Sequence, residues 1–377
     1  MSTSYWLEEP GTELHSKPLP GPPDVDIVGG GITGCSAART LAEAGLRVRV
    51  HEARGVAEGA SGRNGGFALR GGAMPYERAR EWLGADEAGA YWRATEEALR
   101  RLGEYVGDAL RPVGSLHLAA DEEEREELRS EYEALREDGF EAEWREPLSE
   151  PLDGRFLAGI FTPADAAVQP ASMTRRLAER ASASGVEFVE HHRIESLSEL
   201  AADRVLVATD GYPSGLLGEF EGLIVPTRGQ MVATEPIAER LFEYPHFGRH
   251  GFAYWQQLED GRITVGGFRD MDVTTEFTAE EVITPTIQAS LEDFLEGLVG
   301  RPLTVTHRWA GIFGLVLDFM PVVGPLPGTE GVWVCAGYSG HGNVLAFMCG
   351  DLVANAMLGE ENPQLALFDP ARLLAAA

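Results

Sequence analysis

A chain of 377 residues with 44% hydrophobic side chains can bury a sizeable core and is longer than most single domains, so two lobes are expected. The formal net charge of −29 argues against nucleic acid and anionic membrane surfaces as partners. No apolar run approaches the roughly 20 residues that a membrane helix needs, so no membrane insertion is expected.

Residues 1–23 read as an N-terminal arm. They are polar and proline-rich, end in "PLPGPP", which breaks regular structure, and lack the apolar centre of a signal peptide, so a cytoplasmic location is expected. "DVDIVGGGITGCSAARTLAEAGLRVRVHEA" then reads as strand, glycine turn, helix and strand. Gly29, Gly31 and Gly34 form a G-x-G-x-x-G at the strand-to-helix turn. The first glycine permits the tight turn, the second lets a pyrophosphate approach the backbone, and the third lets helix and strand pack closely. The pyrophosphate would lie on the helix N-terminus, and Glu52, closing the second strand, stands near the ~20-residue spacing of the carboxylate that holds a ribose. This context points to a dinucleotide and leaves NAD and FAD both open.

"GASGRNGGF", residues 59–67, is a second glycine-rich stretch. It brings backbone amides close to something flat or anionic, with Arg63 able to neutralise a phosphate, or else it is a flexible surface loop. Helical spacing follows over 91–110, then the strand "PVGSLHLA" and a solvated helix in "DEEEREELRSEYEALREDG". "PASMTRRLAERASASG", "VEFVEHHRI" and "DRVLVATDG" return to α/β alternation, as if the first lobe resumes after an insertion. Residues 226–316 carry strand signals of an antiparallel sheet, interrupted by a helix near 284–299. "GVWVCAGYSGHGNVLAFMCGDLVANAMLG" closes the chain as strand, glycine turn and helix.

The expected fold is α/β. A Rossmann-type dinucleotide domain (24–82, 147–222 and 318–377) is interleaved with an α+β substrate domain (83–146 and 223–317) built on an antiparallel sheet. Cys35, Cys335 and Cys349 lie far apart in apolar settings and read as buried hydrophobes, with no metal site or disulfide frame expected.

"IVGGGITG…HEA" followed by "GASGRNGG" resembles the start of FAD enzymes of the glycine-oxidase and D-amino-acid-oxidase type, and the form "GASGRNGG" is most similar to gamma-glutamylputrescine oxidases within it. The resemblance continues through "ATDGY" (208–212), "PTRGQMVATEP", "YWQQLEDGRITVGGF", "RWAGIFGLVLDFMPVVGPL" and "AGYSGHGNVLA", nearly the whole chain. It implies FAD, with the backbone of Ile194 at the adenine and Thr33, Arg54, Ser61 and Asn64 along the rest; Ile32, Ala53 and Gly65 are counted with these neighbours. It also implies that the C-terminal glycine turn closes over the pyrimidine edge of the flavin. A helix N-terminus there stabilises the negative charge that hydride uptake leaves near N1 and C2=O. Gly340, Gly342 and the amides of His341 and Asn343 are the expected donors, and His341 either faces the substrate or serves the structure alone.

Two departures narrow the chemistry that the resemblance implies. Relatives that oxidise amino acids carry an arginine shortly after "WAG", whereas this chain has Ile312 and Phe313 there. That favours an amine or derivatised polyamine over a simple amino acid, unless Arg228, Arg269 or Arg308 takes over. No cysteine lies between Cys35 and Cys335, so FAD is expected to be non-covalent. Lys17 is the only lysine, which removes the group that activates oxygen in sarcosine-oxidase-like relatives and leaves oxygen or an electron carrier as acceptor. Tyr254, beside Trp255, and Trp309 read as an aromatic wall holding an amine over the flavin, or as ordinary aromatic core. Tyr254, His341 and Trp309 are the candidate catalytic residues. The expected reaction oxidises a C–N bond by hydride transfer to flavin N5, followed by imine hydrolysis and reoxidation by oxygen with peroxide release. An amino-acid oxidase, a dehydrogenase feeding a carrier, and a flavin-binding protein without turnover are the alternatives.

Overall fold

The computed structural model describes residues 3–9, 14, 16–212 and 215–374. Parts of the expected arm (1–2, 10–13 and 15), positions 213–214 and the tail 375–377 lie outside the described residues. β1 (Val25–Val28), α1 (Ile32–Glu43) and β2 (Val48–His51) form the expected unit, with β1 and β2 parallel and Val25 opposite Val48.

β1 lies inside a six-stranded sheet whose order is Val322–Pro325, Val332–Ala336, Arg204–Val207, β1, β2, Glu187–Val189. All neighbours are parallel except the first hairpin. A parallel sheet covered by helices is buried on both faces, which is why these strands are near-continuous apolar runs. Asp26 is the polar exception in β1. Its carboxylate is fully satisfied, accepting the amides of Ala201 and Ala202 at 2.8 and 2.9 Å and facing His51 Nε2 at 3.0 Å.

The closing helix Gly342–Met357 packs along α1. At Gly350 a Cβ would come within 2.7 Å of the Thr33 carbonyl, so only glycine permits that separation. Beside it, buried Asp351 accepts from Ser36 Oγ (2.8 Å), Thr40 Oγ1 (2.7 Å), Arg39 Nη2 (2.6 Å) and Arg101 Nη2 (2.8 Å), tying three helices together.

The second lobe is built on an eight-stranded sheet in the order Val305–Leu315, Val225–Thr234, Ile263–Gly267, Ala253–Gln257, His246–Gly248, Ser115–Ala119, Ala158–Thr162, Glu143–Arg145. Its pairs are antiparallel apart from His246–Gly248 with Ser115–Ala119. The helix Pro285–Val299 lays Ile287, Leu291, Leu295 and Leu298 against Trp255 and Val265, the 3.6-residue stripe that the sequence displays.

Three elements sit elsewhere than expected. The strand Ala158–Thr162, from a segment assigned to the dinucleotide lobe, pairs in the eight-stranded sheet. The helix Ala85–Val106, assigned to the substrate lobe, buries Leu99, Leu102 and Val106 in the same core cluster as Leu345 and Phe347 of the closing helix. The arm, read as a tail with a structure-breaking end, forms a 3-10 turn at Tyr5–Leu7 that buries Trp6. Each depends on contacts with residues distant in the chain, which local periodicity does not encode.

Candidate functional site

The parallel sheet aims the carboxyl ends of β1, β2, Arg204–Val207 and Val332–Ala336 in one direction, so the turns that follow them meet, as ligand sites do in open α/β sheets. After β1, Gly29 adopts φ +113°, and a Cβ there would collide with the Ala208 carbonyl. At Gly34 a Cβ would overlap the Gly29 carbonyl, which is why the helix can approach the turn. After β2, both carboxylate oxygens of Glu52 are fixed by backbone amides, from Gly30 at 2.7 Å and Arg54 at 2.8 Å. Each oxygen keeps a lone pair for a hydroxyl. Glu52, Ala53, Arg54, Ser61 and Ile194 line a cavity of about 160 Å³ with Gly29 and Gly31. Ser61 Oγ accepts the amide of Ile32 at 3.1 Å, leaving the amides of Thr33 and Gly34 in the first turn of α1 without an intrahelical partner.

Arg54 is engaged from outside this cavity. It pairs bidentately with Glu281, 2.8 Å at each oxygen, and Tyr212 Oη donates to the same carboxylate at 2.8 Å. Burial raises the Glu281 carboxyl, but the hydrogen bonds and charge of Arg54, with Arg63, hold it below its ordinary value. Arg54 and Glu281 are 227 positions apart, and nothing in the sequence marks the partnership.

A second cavity, of about 310 Å³, lies where the loop 59–67, the strand Val305–Leu315 and the turn 337–343 converge. Thr33, Ser61, Arg63, Asn64, Gly65, Gly340, His341, Gly342 and Asn343 all line it. Asn64 and Asn343 exchange two hydrogen bonds, each Nδ2 donating to the other's Oδ1 at 3.0 Å. The loop seats on Gly311, where a Cβ would lie 2.8 Å from that of Arg63. Arg63, expected at a phosphate, is instead turned into the protein. Its Nε donates to the Glu58 carbonyl at 2.8 Å and its Nη1 to that of Ala310 at 3.2 Å, with the Glu281 carboxylate at 3.8 Å.

The sequence reading passed over Asp210 as a site residue. Its carboxylate accepts the amides of Gly314 (3.1 Å) and Gly337 (2.9 Å) and so fixes the ends of two strands at the cavity. The sequence signal is "ATDG", a turn in which Asp210 takes φ +47°. Among the C-terminal donors, the His341 amide is spent within the turn, donating to the Tyr338 carbonyl at 3.0 Å. Helix geometry leaves the amides of Gly342 and Asn343 as the free pair. The imidazole of His341 lines the cavity, and its Nδ1 is buried with no hydrogen-bond partner among the described residues. Burial pushes its pKa down to about 4, so the ring is neutral at neutral pH.

The opposite wall is aromatic. Tyr254 lies over Gly266, where a Cβ would strike its ring, and beside Gly65, where one would lie 3.1 Å away; burial pushes its phenol up to about 12. Phe67, Phe247, Phe252, Ile312, Phe313 and Phe319 also line the cavity, together with Arg269 and His250. Trp309 does not join them. It is fully buried one turn of the pleat away, donating Nε1 to the Arg63 carbonyl at 2.9 Å and standing edge-on to Trp6, with ring centroids 6.5 Å apart. The loop 59–67 and Trp6 cover its face of the strand, so it supports the cavity instead of lining it.

Comparison with known proteins bears on what these cavities hold. The family model described as FAD dependent oxidoreductase matches residues 24–356. The chain is 28% identical over 366 residues to the probable oxidoreductase OrdL of Rhizobium meliloti (strain 1021), spanning 89% of this chain and 83% of that protein. It is 27% identical over 365 residues to the gamma-glutamylputrescine oxidoreductase of Escherichia coli (strain K12), spanning 89% and 84%. The crystal structure of glycine oxidase from Geobacillus kaustophilus superposes with a TM-score of 0.72 at 23% identity, spanning 93% and 98%, and shares the fold.

The residues present suit FAD. The fixed Glu52 carboxylate offers acceptors to ribose hydroxyls, the open first turn of α1 offers donors to a pyrophosphate, and the closing helix offers donors to the flavin ring. The two cavities share Gly31, Ala60, Ser61, Ala208 and Asp210, so one extended cofactor can run through both.

Proposed function

Because the chain belongs to the FAD-dependent oxidoreductase family, we propose that it oxidises the C–N bond of a small amine or amino acid, with oxygen as the acceptor. The observation that carries this reading is the cavity wall facing the two glycine turns. Tyr254 on that wall is uncharged at neutral pH, as is His341 on the turn it faces, and Phe252 and Phe313 also line the cavity. Such a wall favours a neutral amine and an apolar carbon chain over a charged nucleophile.

Bound FAD supplies the two-electron acceptor for that oxidation. Tyr254 and Phe313 hold the carbon bearing the nitrogen against the glycine-lined side, and the aromatic wall excludes water until the imine leaves to be hydrolysed. The amides of Gly342 and Asn343 stabilise negative charge at the end of the closing helix. No proton acceptor beyond the neutral amine's own requirements is called for. Cys35, Cys335 and Cys349 are buried and free, and none lines either cavity, which supports FAD held without a covalent bond. No helix among the described residues is long and apolar enough to cross a membrane.

The test is an anaerobic titration of the purified holoprotein with putrescine derivatives, secondary amines, glycine, sarcosine and D-amino acids, following the visible flavin band. At least one should bleach it, and readmitted air should restore it with oxygen consumed. A flavin band that no member bleaches would overturn the reading; bleaching without oxygen uptake would reassign the acceptor to a carrier.

A further inference from the structure

We infer that Arg269 binds a carboxylate of the substrate, so that the amine oxidised in this cavity also carries an acidic group. The inference rests on the cavity being the site of amine oxidation and names the class of amine. A guanidinium has five N–H donors and needs acceptors when it leaves water. Arg228 is saturated, with Nε and Nη2 on Glu276 at 2.9 and 2.8 Å and further bonds to the carbonyls of Glu280 and Thr275. Arg308 is spent on Gln288 and Glu292 at 3.1 and 2.9 Å and does not line the cavity.

Arg269 differs on every count. It is half-buried and lines the cavity, and among the described residues no carboxylate oxygen lies within 4.0 Å of its guanidinium. The adjacent Asp270 is taken by Arg249 at 2.7 Å. The guanidinium carbon lies over the rings of Phe252 and Phe313, 4.4 and 5.8 Å from their centroids, contacts that leave its N–H donors unspent. The turn that delivers it is strained: Phe268, just after the strand Ile263–Gly267, takes φ +61°, uncommon for a side chain of that size. Burial pushes the guanidinium pKa down, against the pull of Tyr254 and Asp270. A guanidinium that lines a cavity without a counter-ion has donors free for a charge-assisted pair with a bound carboxylate.

Ile312 and Phe313 therefore do not mean that the substrate lacks a carboxylate. The anion site has moved from the strand Val305–Leu315 to the turn after Ile263–Gly267, on the same wall as Tyr254.

The experiment uses the FAD-loaded protein and ligands that cannot be oxidised. Benzoate and its neutral analogue benzamide are titrated separately, with binding read from the flavin difference spectrum and by calorimetry. Benzoate should bind at least about 10-fold more tightly than benzamide, and Arg269→Met should weaken benzoate by about 10- to 100-fold while leaving benzamide unchanged, with Arg269→Lys in between. Equal binding of the two ligands to the native protein, or undiminished benzoate binding by Arg269→Met, overturns the inference. If the variant does not retain FAD, the native comparison decides. Because no turnover is involved, carboxylate selectivity without any bleaching amine would leave Arg269 assigned and remove the amine-oxidation reading instead.

Discussion

Asn64 and Asn343, 279 positions apart, face each other as a reciprocal amide pair, each donating to the other's carbonyl oxygen at 3.0 Å. Asn343 Nδ2 also donates to the Phe67 carbonyl at 2.8 Å, and Asn64 Oδ1 accepts the Gly66 amide at 2.9 Å. One pair of side chains thus locks the second glycine loop to the N-terminus of the closing helix. Asn64→Ala strands buried Asn343 and Asn343→Ala strands half-buried Asn64, costing about 1–2 kcal/mol each, which predicts a roughly five- to thirty-fold rise in the FAD dissociation constant. The double variant should be little worse than either single one, since both remove the same bonds. Fluorescence titration of the apoproteins with FAD reads this directly, and fully additive losses would mean that the pair is not the link.

Trp6 gives the arm a stabilising role. Its ring is 2% exposed, stands against Trp309, and donates Nε1 to the Asn64 carbonyl at 2.8 Å. Trp6→Ala should cost about 3–5 kcal/mol, as for other buried aromatics, and should also weaken FAD retention because the loop loses its backing. Thermal melts with and without added FAD separate the two effects. A melt within a degree or so of the native protein would show that the arm does not dock in solution.

Asp351 is the acceptor on which four side chains converge, including Arg39, which is 2% exposed. Removing that acceptor leaves a buried guanidinium with Glu43, Tyr105 and the Thr40 hydroxyl as its remaining partners and Glu43 as its counter-charge. Asp351→Ala is expected to destabilise by about 3–5 kcal/mol, and Asp351→Asn by less, because the amide keeps one acceptor. Denaturant unfolding of the FAD-loaded proteins measures the difference.

The pH dependence of flavin reduction should belong to the substrate. His341 titrates near 4 and Tyr254 near 12, so neither changes charge across the neutral range. An aliphatic amine of lysine type loses its proton near about 10.4, and only the neutral form is reactive in the proposed mechanism. The reductive rate constant per unit substrate should therefore rise about tenfold per pH unit below that pKa and level off above it, and His341→Gln should leave the profile in place. A bell with an inflection near pH 6.5 that disappears in His341→Gln would contradict this.

Much of the dinucleotide half was legible in the sequence, because its signals are local. The alternation of β1, α1 and β2, the spacing of Gly29, Gly31 and Gly34, and the placing of Glu52 at a strand end are properties of consecutive residues, and parallel pairing then brings their turns together. The same holds for the apolar stripe of Pro285–Val299 and for the glycine turn ahead of Gly342. Other assignments required chain segments to meet. Whether Trp309 faced a cavity or a neighbour depended on Trp6 and the loop 59–67, some three hundred and two hundred and fifty positions away in order of magnitude, and no periodicity carries that.

The sequence by itself determined the glycine turns and the strand-end acid that suit a dinucleotide cofactor, since backbone conformation at a glycine and charge at a strand end are decided within a few residues. Only the tertiary structure decided which arginine has donors to spare. Arg54, Arg228, Arg269 and Arg308 are alike as letters in a chain, and the difference between a saturated guanidinium and an open one lies in carboxylates that folding brings close: Glu281, Glu276 and Glu292 to three of them, and among the described residues none to Arg269.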